Sequence, residues 1–448
     1  MSYQVPQHID PNKVFLINHS ELEGRLDSMF YTHQFSDIIV ALKKCSLYKR
    51  LGQIAHFSSE SWNQRDYYEK HFPYIEIGAI NITDGKIEDV NIVPIEQAPS
   101  RAKMIVRTND ILISTTRPNR GAIVKITEKE NLYIASTGFA VIRDIDDSVN
   151  RDYLLTVLRL DFTLKQMLQR STGGNYPAIT DDELSKIIIP IPPIGVQNKI
   201  VSLIESAHKR KQNADFMADS LLQSIDDYLL GELGIERPSP TRTENGRFFY
   251  TSFHNLMGSE WAPLCIKNNG KRSKSTIYKE VKLSTIATIA KGQAITSKEI
   301  VNGNYPVIAG GQSSPYSHNQ YNYKGNIVTI SASGAYSGYV WYHNYPIFAS
   351  DCSVIFSNDE NVYLTKYIYE ILRLRQQEIY LLQKGAGQPH VYPSDIANLT
   401  IPAIPLEKQQ DIVAYCQELR NKAELLQKEG RDIISTAKDA IEQMIIGN

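Results

Sequence analysis

The chain has 448 residues, too long for one ordinary core, and a prior of roughly 150 residues per domain predicts two to four domains. Its 42% hydrophobic share fits a globular protein without a membrane span, and its net charge of −1 gives no bulk-charge argument for nucleic-acid binding. The start, MSYQVPQHIDPNK, lacks a signal pattern, and Cys45, Cys265, Cys352 and Cys416 match neither a disulfide framework nor a zinc spacing, so a cytoplasmic protein is expected.

In chain order, the first half opens with short runs rich in Ile, Val, Tyr and Thr, broken by Gly, Asn and Pro. YIEIGAINI (74–82), DILIS (110–114), AIVKI (122–126) and GFAVIR (138–143) predict β-strands. RDYLLTVLRLDFTLKQML (151–168) is apolar at helical spacing. Next comes IIIPIPPIGVQNKIV (187–201), a strand that ends at a proline and is held out of the helix by Pro192 and Pro193 until a long helix begins. Along that helix Ile200, Ile204, Ala207, Ala214, Ala218, Leu221, Ile225 and Tyr228 follow a heptad, with only Lys211 out of character.

The second half repeats this order. YPVIAGG (305–311), NIVTISA (326–332), GYVWYH (338–343) and CSVIF (352–356) predict strands, and NVYLTKYIYEILRLRQQEIYLL (361–382) predicts helix. LTIPAIPLEKQQDIV (399–413) then copies the earlier phrase 212 positions on from Ile187, with Ile189/Ile401, Pro190/Pro402, Pro193/Pro405, Gln197/Gln409, Ile200/Ile412 and Val201/Val413 identical. Farther upstream, DILISTTRPNRGAIV resembles NIVTISASGAYSGYV, IASTGFAVI resembles FASDCSVIF, and LGQIAHF resembles LSTIATI. A second helical seam runs through Ile412, Cys416, Leu419, Ala423, Leu426, Ile433, Ala437, Ala440 and Met444, with Gly430 as its weak point. About 34 residues of such helix make a rod of roughly 50 Å.

The pattern predicts an α+β fold: two globular domains joined by two long helices that form an antiparallel coiled coil, related by an internal pseudo-two-fold repeat. Expected boundaries are an N-terminal segment 1–23, a first domain 24–190, a first helical spacer 191–235, a linker 236–260, a second domain 261–402 and a second spacer 403–448.

Charge is unevenly spread. Arg101, Lys103, Arg107, Arg117, Arg120 and Lys125 face only Asp110 in their stretch, and Lys267, Lys271, Arg272, Lys274, Lys279, Lys282, Lys291 and Lys298 face only Glu280 in theirs, so basic patches are compatible with a near-neutral chain. Catalytic signatures are missing: there is no phosphate loop, no dinucleotide fingerprint, no Asn/Asp-Pro-Pro-aromatic methyltransferase motif and no HExxH or Cys/His metal pattern. Asp181-Asp182 and Asp226-Asp227 are read as helix-start and surface groups. A non-catalytic chain without a metal site or a cofactor of its own is expected.

IPIPPIGVQNKIV and IPAIPLEKQQDIV, each after a small-residue loop (GGNYPAIT, GAGQPHVYP) and each before a long helix, resemble the specificity subunits of type I restriction-modification systems. GRLDSMFY (24–31) is similar to the RLD-x-x-aromatic opening of the first recognition domain in that family, whereas GSEWAPL in the second half keeps a Trp but not the RxD, which blurs where the second domain starts. The resemblance implies two target-recognition domains, each reading half of a bipartite double-stranded DNA site. It implies helices that set the gap and dock two methyltransferase (M) subunits, with motor-nuclease (R) subunits beyond. S-adenosylmethionine, ATP and Mg2+ then belong to the partners, which methylate adenine N6 and cut unmethylated DNA. Half-sites one helical turn apart, about 34 Å, lie within the reach of such rods.

Phosphate contacts call for Lys and Arg, and base contacts for Arg, Asn, Gln, Ser and Thr on loops. In the first domain these are Arg101, Lys103, Arg107, Thr115, Thr116, Arg117, Asn119 and Arg120, with Arg117 and Arg120 leading. In the second they are Lys291, Gln312, Ser313, Ser333, Tyr336, Lys384, Gln388 and His390. For each, a turn or phosphate role weighs as much as base readout. Two other readings stay open: a specificity subunit of a related system whose partner fuses methyltransferase and nuclease, and a scaffold whose domains bind protein or RNA. Gln197, kept as Gln409, is open between helix-start capping and contact with an M subunit.

Overall fold

The computed structural model describes Asp10 and residues 14–17, 19, 22–45, 47–63, 68, 70–236, 273–385 and 387–447. The predicted linker 236–260, apart from Glu236, lies outside the described residues, as do the GSEWAPL stretch, Cys265 and most of the predicted segment 1–23. Two compact units make up the chain: Met1–Ala214 with Lys428–Asn448, and Asp215–Gln427. The helical spacers are therefore no separate body, because each unit takes part of both long helices.

The first unit runs through α1 (His33–Lys43), β1 (Tyr48–Arg50), α2 (Leu51–Ile54), β2 (Ala55–Phe57), β3 (His71–Ile75), β4 (Ile80–Asn81), β5 (Lys86–Ile87) and β6 (Asn91–Pro94). It continues through β7 (Ala102–Ile105), β8 (Ile111–Ser114), β9 (Ile123–Lys125), β10 (Ile134–Ser136) and β11 (Phe139–Ile145). Then come α3 (Arg151–Leu158), α4 (Asp161–Arg170), α5 (Asp181–Ser185), β12 (Ile188–Pro190) and the long α6 (Ile194–Leu233). The apolar run of β8 is buried at every residue, as a strand at the centre of the sheet β2-β11-β8-β9 requires. A second sheet, β6-β3-β10-β7, holds the parallel pair β3/β10.

The second unit contains β13 (Ile235–Glu236), β14 (Lys274–Ser275), β15 (Glu280–Lys282), α7 (Leu283–Ile286), β16 (Ala287–Lys291), β17 (Tyr305–Ile308) and β18 (Ser317–His318). It goes on through β19 (Ile327–Ser331), β20 (Val340–His343), β21 (Phe348–Ala349) and β22 (Cys352–Ser357). Helices α8 (Thr365–Leu374), α9 (Gln376–Tyr380) and α10 (Pro393–Ala397), strand β23 (Thr400–Pro402) and the long α11 (Leu406–Ile446) complete it. Its sheet β16-β22-β19-β20 repeats β2-β11-β8-β9, and the parallel pair β17/β21 repeats β3/β10.

The repeat extends to single hydrogen bonds. β1 pairs with β12 and β15 with β23, both antiparallel and both ending on the junction proline, Tyr48↔Pro190 and Glu280↔Pro402. The Leu51 N–H donates to the Ile187 carbonyl at 2.9 Å and the Leu283 N–H to the Leu399 carbonyl at 2.8 Å. The buried hydroxyls of Tyr153 and Tyr367 donate to the carbonyls of Pro190 and Pro402, each at 2.8 Å. In both units burial raises the tyrosine pKa.

Each predicted helix before the junction is split in two, and a buried arginine sits at each split. Arg159 turns away to donate to the carbonyls of Ile82, Thr83 and Asp84, and Arg375 binds the Thr400 carbonyl and Glu280. The long helices have 40 and 41 residues, about 60 Å each against the roughly 50 Å expected, and Gly231 and Gly430 lie inside them.

They pair antiparallel within each unit. In the first, Ile200, Ile204 and Ala207 share a core with Ile434, Ala437, Ile441 and Ile445. In the second, Ile225 and Leu229 share one with Ile412, Cys416 and Leu419, Lys408 pairs with Glu232, and the Tyr228 and Tyr415 rings lie 4.3 Å apart. Ala218 and Ala423 are buried; Ala214, Leu221 and Leu426 are half-buried. Lys211 keeps the seam by pairing its buried ammonium with Asp84.

One stretch of the seam needs correction. Beyond Gly430, Ile434, Ile441 and Ile445 face inward, while Ile433 is half-buried and Ala440 and Met444 are exposed. Inner positions from Ile412 to Ile445 follow an eleven-residue period, about 3.67 residues per turn, so a strict heptad falls one residue short after Gly430.

Candidate nucleic-acid interface

In the first unit the loop between β8 and β9 meets the loop that precedes the junction phrase. Thr116 and Thr172 both bridge to Ala178, the Arg117 N–H donates to the Pro177 carbonyl at 2.6 Å, and the Ile179 N–H donates to the Thr115 carbonyl at 2.9 Å. Arg117 has φ +49, lays its guanidinium 4.2 Å from the centre of the Tyr176 ring, and donates to the Asn175 carbonyl at 3.1 Å. Tyr176 is 69% exposed, and Asn119 and Arg120 are exposed beside it on the turn Pro118–Arg120. Thr115 spends its hydroxyl on the Gly138 carbonyl, and the neighbouring Thr137 N–H donates to the Arg101 carbonyl, which places exposed Arg101 near the loops.

The second unit builds the same junction from its own residues. Ser333 and Lys384 both bridge to His390, the Gly334 N–H donates to the Pro389 carbonyl at 3.1 Å, and the Val391 N–H donates to the Ala332 carbonyl at 3.0 Å. Gly334 has φ +85 where the first unit has Arg117 at φ +49, so both turns need left-handed backbone. A third loop joins: Ser331 Oγ donates to the carbonyls of Ala309 and Gly311, and Gly310 packs so close to Ser333 that a Cβ there would sit 2.5 Å from the Ser333 carbonyl oxygen. Gln312, Ser313, Tyr336 and Gln388 are exposed on these loops, and Lys291 ends β16 opposite Ser353, close to the Asp351 turn. His390 stacks on Tyr392 at 6.1 Å.

Some of the residues named from sequence are already engaged elsewhere. Arg107 makes a two-pronged bond to Glu60, which Arg143 also holds while binding Asp110, so Arg107 belongs to a buried-edge ion network and not to the loop group. Arg107 first and Arg143 next hold the Glu60 carboxyl down to about 2. That contribution to stability is complete above the ordinary carboxylate range and lost as pH falls through about 2. Lys384 pairs with Asp395 at 2.9 Å, and Ser333 donates its hydroxyl to Asp351, so both shape the loops rather than offering an idle group. Exposed Lys103 lies on β7, in the other sheet.

Tyr176, Asn175 and Tyr392 are the members that sequence reading passed over. The signal was available: moving the Lys384–His390 segment back by the 212-residue offset lands on 172–178. Gln197 also becomes legible. Fully buried, it accepts from the Asn150 N–H at 2.8 Å and donates to the carbonyls of Ser148 and Pro192. Gln409 does the same with the Leu364 N–H and the carbonyls of Val362 and Ile404. Both glutamines clamp the helix start to the globule, and neither is exposed to meet a partner.

The model of the type I restriction modification DNA specificity domain matches residues 47–213 and again 277–433. The chain belongs to this family. Like the repeat, the match runs twice, through each globule and into the long helix beyond it. The specificity subunit of the type I restriction enzyme HindI from Haemophilus influenzae is 29% identical over 126 residues, which is 28% of this chain and 28% of that relative. Among solved structures, a chain from a type I R-M system studied for complex assembly and conformational transition is similar at TM-score 0.50 and 21% identity, covering 90% of this chain and 96% of its own. The HsdS subunit from Thermoanaerobacter tengcongensis is 23% identical over the same shares, at TM-score 0.37. No helix among the described residues is long and apolar enough to cross a membrane.

Proposed function

We propose that this chain is the DNA-recognition subunit of a type I restriction-modification complex, acting in the cytoplasm and catalysing nothing by itself. Residues 24–190 and 261–402 each read one half of a bipartite duplex site. The spacers 191–235 and 403–448 set the gap and dock two methyltransferase subunits, which bring S-adenosylmethionine; motor-nuclease subunits bring ATP and Mg2+. The observation that carries this reading is the loop junction built twice on the same hydrogen bonds, with a cation and an exposed aromatic at its tip in the first unit. Arg–Tyr stacking holds a guanidinium in a fixed plane, which is what two-pronged guanine recognition needs.

Arg117→Gly is the cleanest variant, because the second unit already carries Gly334 at this left-handed position. With the fold intact, the assembled complex is expected to lose about 1 to 3 kcal/mol of DNA affinity and to relax at one base. An equal loss on every sequence would instead make Arg117 a phosphate contact. For the whole reading, titration of duplex DNA at rising salt is expected to give sequence-specific binding that weakens steeply with ionic strength. Salt-independent binding, or none, contradicts it.

A further inference from the structure

The first unit holds a cleft of about 700 Å3 bounded by the turn between β4 and β5, strand β9, helix α3 and the two long helices. Its apolar wall includes Ile87, Val124, Leu155, Val201 and Ile204, and its cations are Arg159 and Lys438, with His208 beside them and exposed Lys86 and Lys209 at the lining. Arg159 is 9% exposed, and its Nε has no partner among the described residues. Neither His208 nor Lys438 makes an ion pair among the described residues; burial first, and Arg159 next, lower the pKa of both. Nearby carboxylates are engaged: Asp84 with Lys211, Asp152 with Lys125, Glu442 with the Asp161 N–H and Glu130 with Thr127. Glu205, the remaining acid of the lining, is exposed.

The second unit shows what this arrangement lacks. Aligned through Tyr153/Tyr367 and Gln197/Gln409, Thr156 falls on Glu370, Arg159 on Arg373 and His208 on Arg420. Because the long helices exchange places in the repeat, Lys438 falls on Asp226. There the Glu370 carboxylate, fully buried, binds Arg420 at 2.6 and 2.5 Å, and only about 70 Å3 remains open. Two carboxylates of the second unit are thus a threonine and a lysine in the first, while Arg420 becomes a histidine whose burial favours the neutral ring, which leaves the first unit two positive charges richer.

We infer that the first unit's cleft binds a small phosphate-bearing molecule of nucleotide size, its phosphate taking the place that the Glu370 carboxylate fills in the second unit. A dianion offsets the two extra positive charges of the first unit. The volume lies within the roughly 300 to 1,000 Å3 of small-molecule sites, and the apolar wall accepts a ring system.

The test is calorimetric titration of the full chain with inorganic phosphate, AMP, ATP and a short duplex, against sodium chloride at equal ionic strength. Saturable binding of AMP or ATP at one per chain is expected, weakened at least tenfold in Lys438→Ala and in Thr156→Glu, which installs the carboxylate of the second unit. Thr156→Glu is also expected to melt no lower than the parent, so that its loss of binding is not loss of fold. No saturable nucleotide binding overturns the inference. So does saturation by phosphate alone or by the duplex alone, or Thr156→Glu binding as tightly as the parent.

Discussion

Glu370→Ala is expected to be the most damaging single substitution in the second unit, lowering unfolding free energy by about 3 to 5 kcal/mol. Glu370 is fully buried and gives both carboxylate oxygens to Arg420, whose guanidinium also lies 5.3 Å from the Tyr369 ring centre. Truncating the acid strands a largely buried cation beside the helix pair, and the desolvation penalty of that cation is then uncompensated. Chemical denaturation checks this. The double variant Glu370→Met/Arg420→Leu should recover most of the loss, and Thr156→Ala in the first unit should stay within about 0.5 kcal/mol of the parent. A Glu370→Ala chain as stable as the parent would remove the ion pair from the account of how this unit is held to its helices.

Gln197→Ala and Gln409→Ala come next, each expected to cost on the order of 2 to 4 kcal/mol. Each buried side chain satisfies one N–H and two carbonyls, joining the first turn of a long helix to the loop before α3 or α8. Alanine replaces none of those three bonds, so the helix start loosens from the globule. Amide exchange should show faster opening at Asn150 in the first variant and at Leu364 in the second. Exchange rates unchanged at these amides would mean the clamps are idle.

The strands and helices were legible because their signals are local: β-branched runs between turn residues, then apolar residues at helical spacing. The duplicated junction was legible because both copies must make the same bonds, from the proline carbonyl that each tyrosine caps to the glutamine clamp. The inner face of α11 beyond Gly430 was not, since a heptad and an eleven-residue period differ by only one position there. Nor could the sequence tell that Arg107 is held by Glu60, 47 residues earlier, because that pairing depends on the ladder that brings the two segments together. The same limit hid Tyr176, which joins the interface only when 172–178 folds against 114–121. The contrast between Glu370 and Thr156 is invisible until the two units are compared residue by residue.

In the proposed function one unit reads each half of a bipartite target. This division is tested most directly by mapping methylated adenines in cells that carry the complex, before and after the first recognition domain is exchanged for that of a relative. A motif of two short halves around a fixed unread gap, with only one half changed by the exchange, is the predicted result. A continuous motif, an exchange that alters both halves, or no adenine mark at all would contradict it.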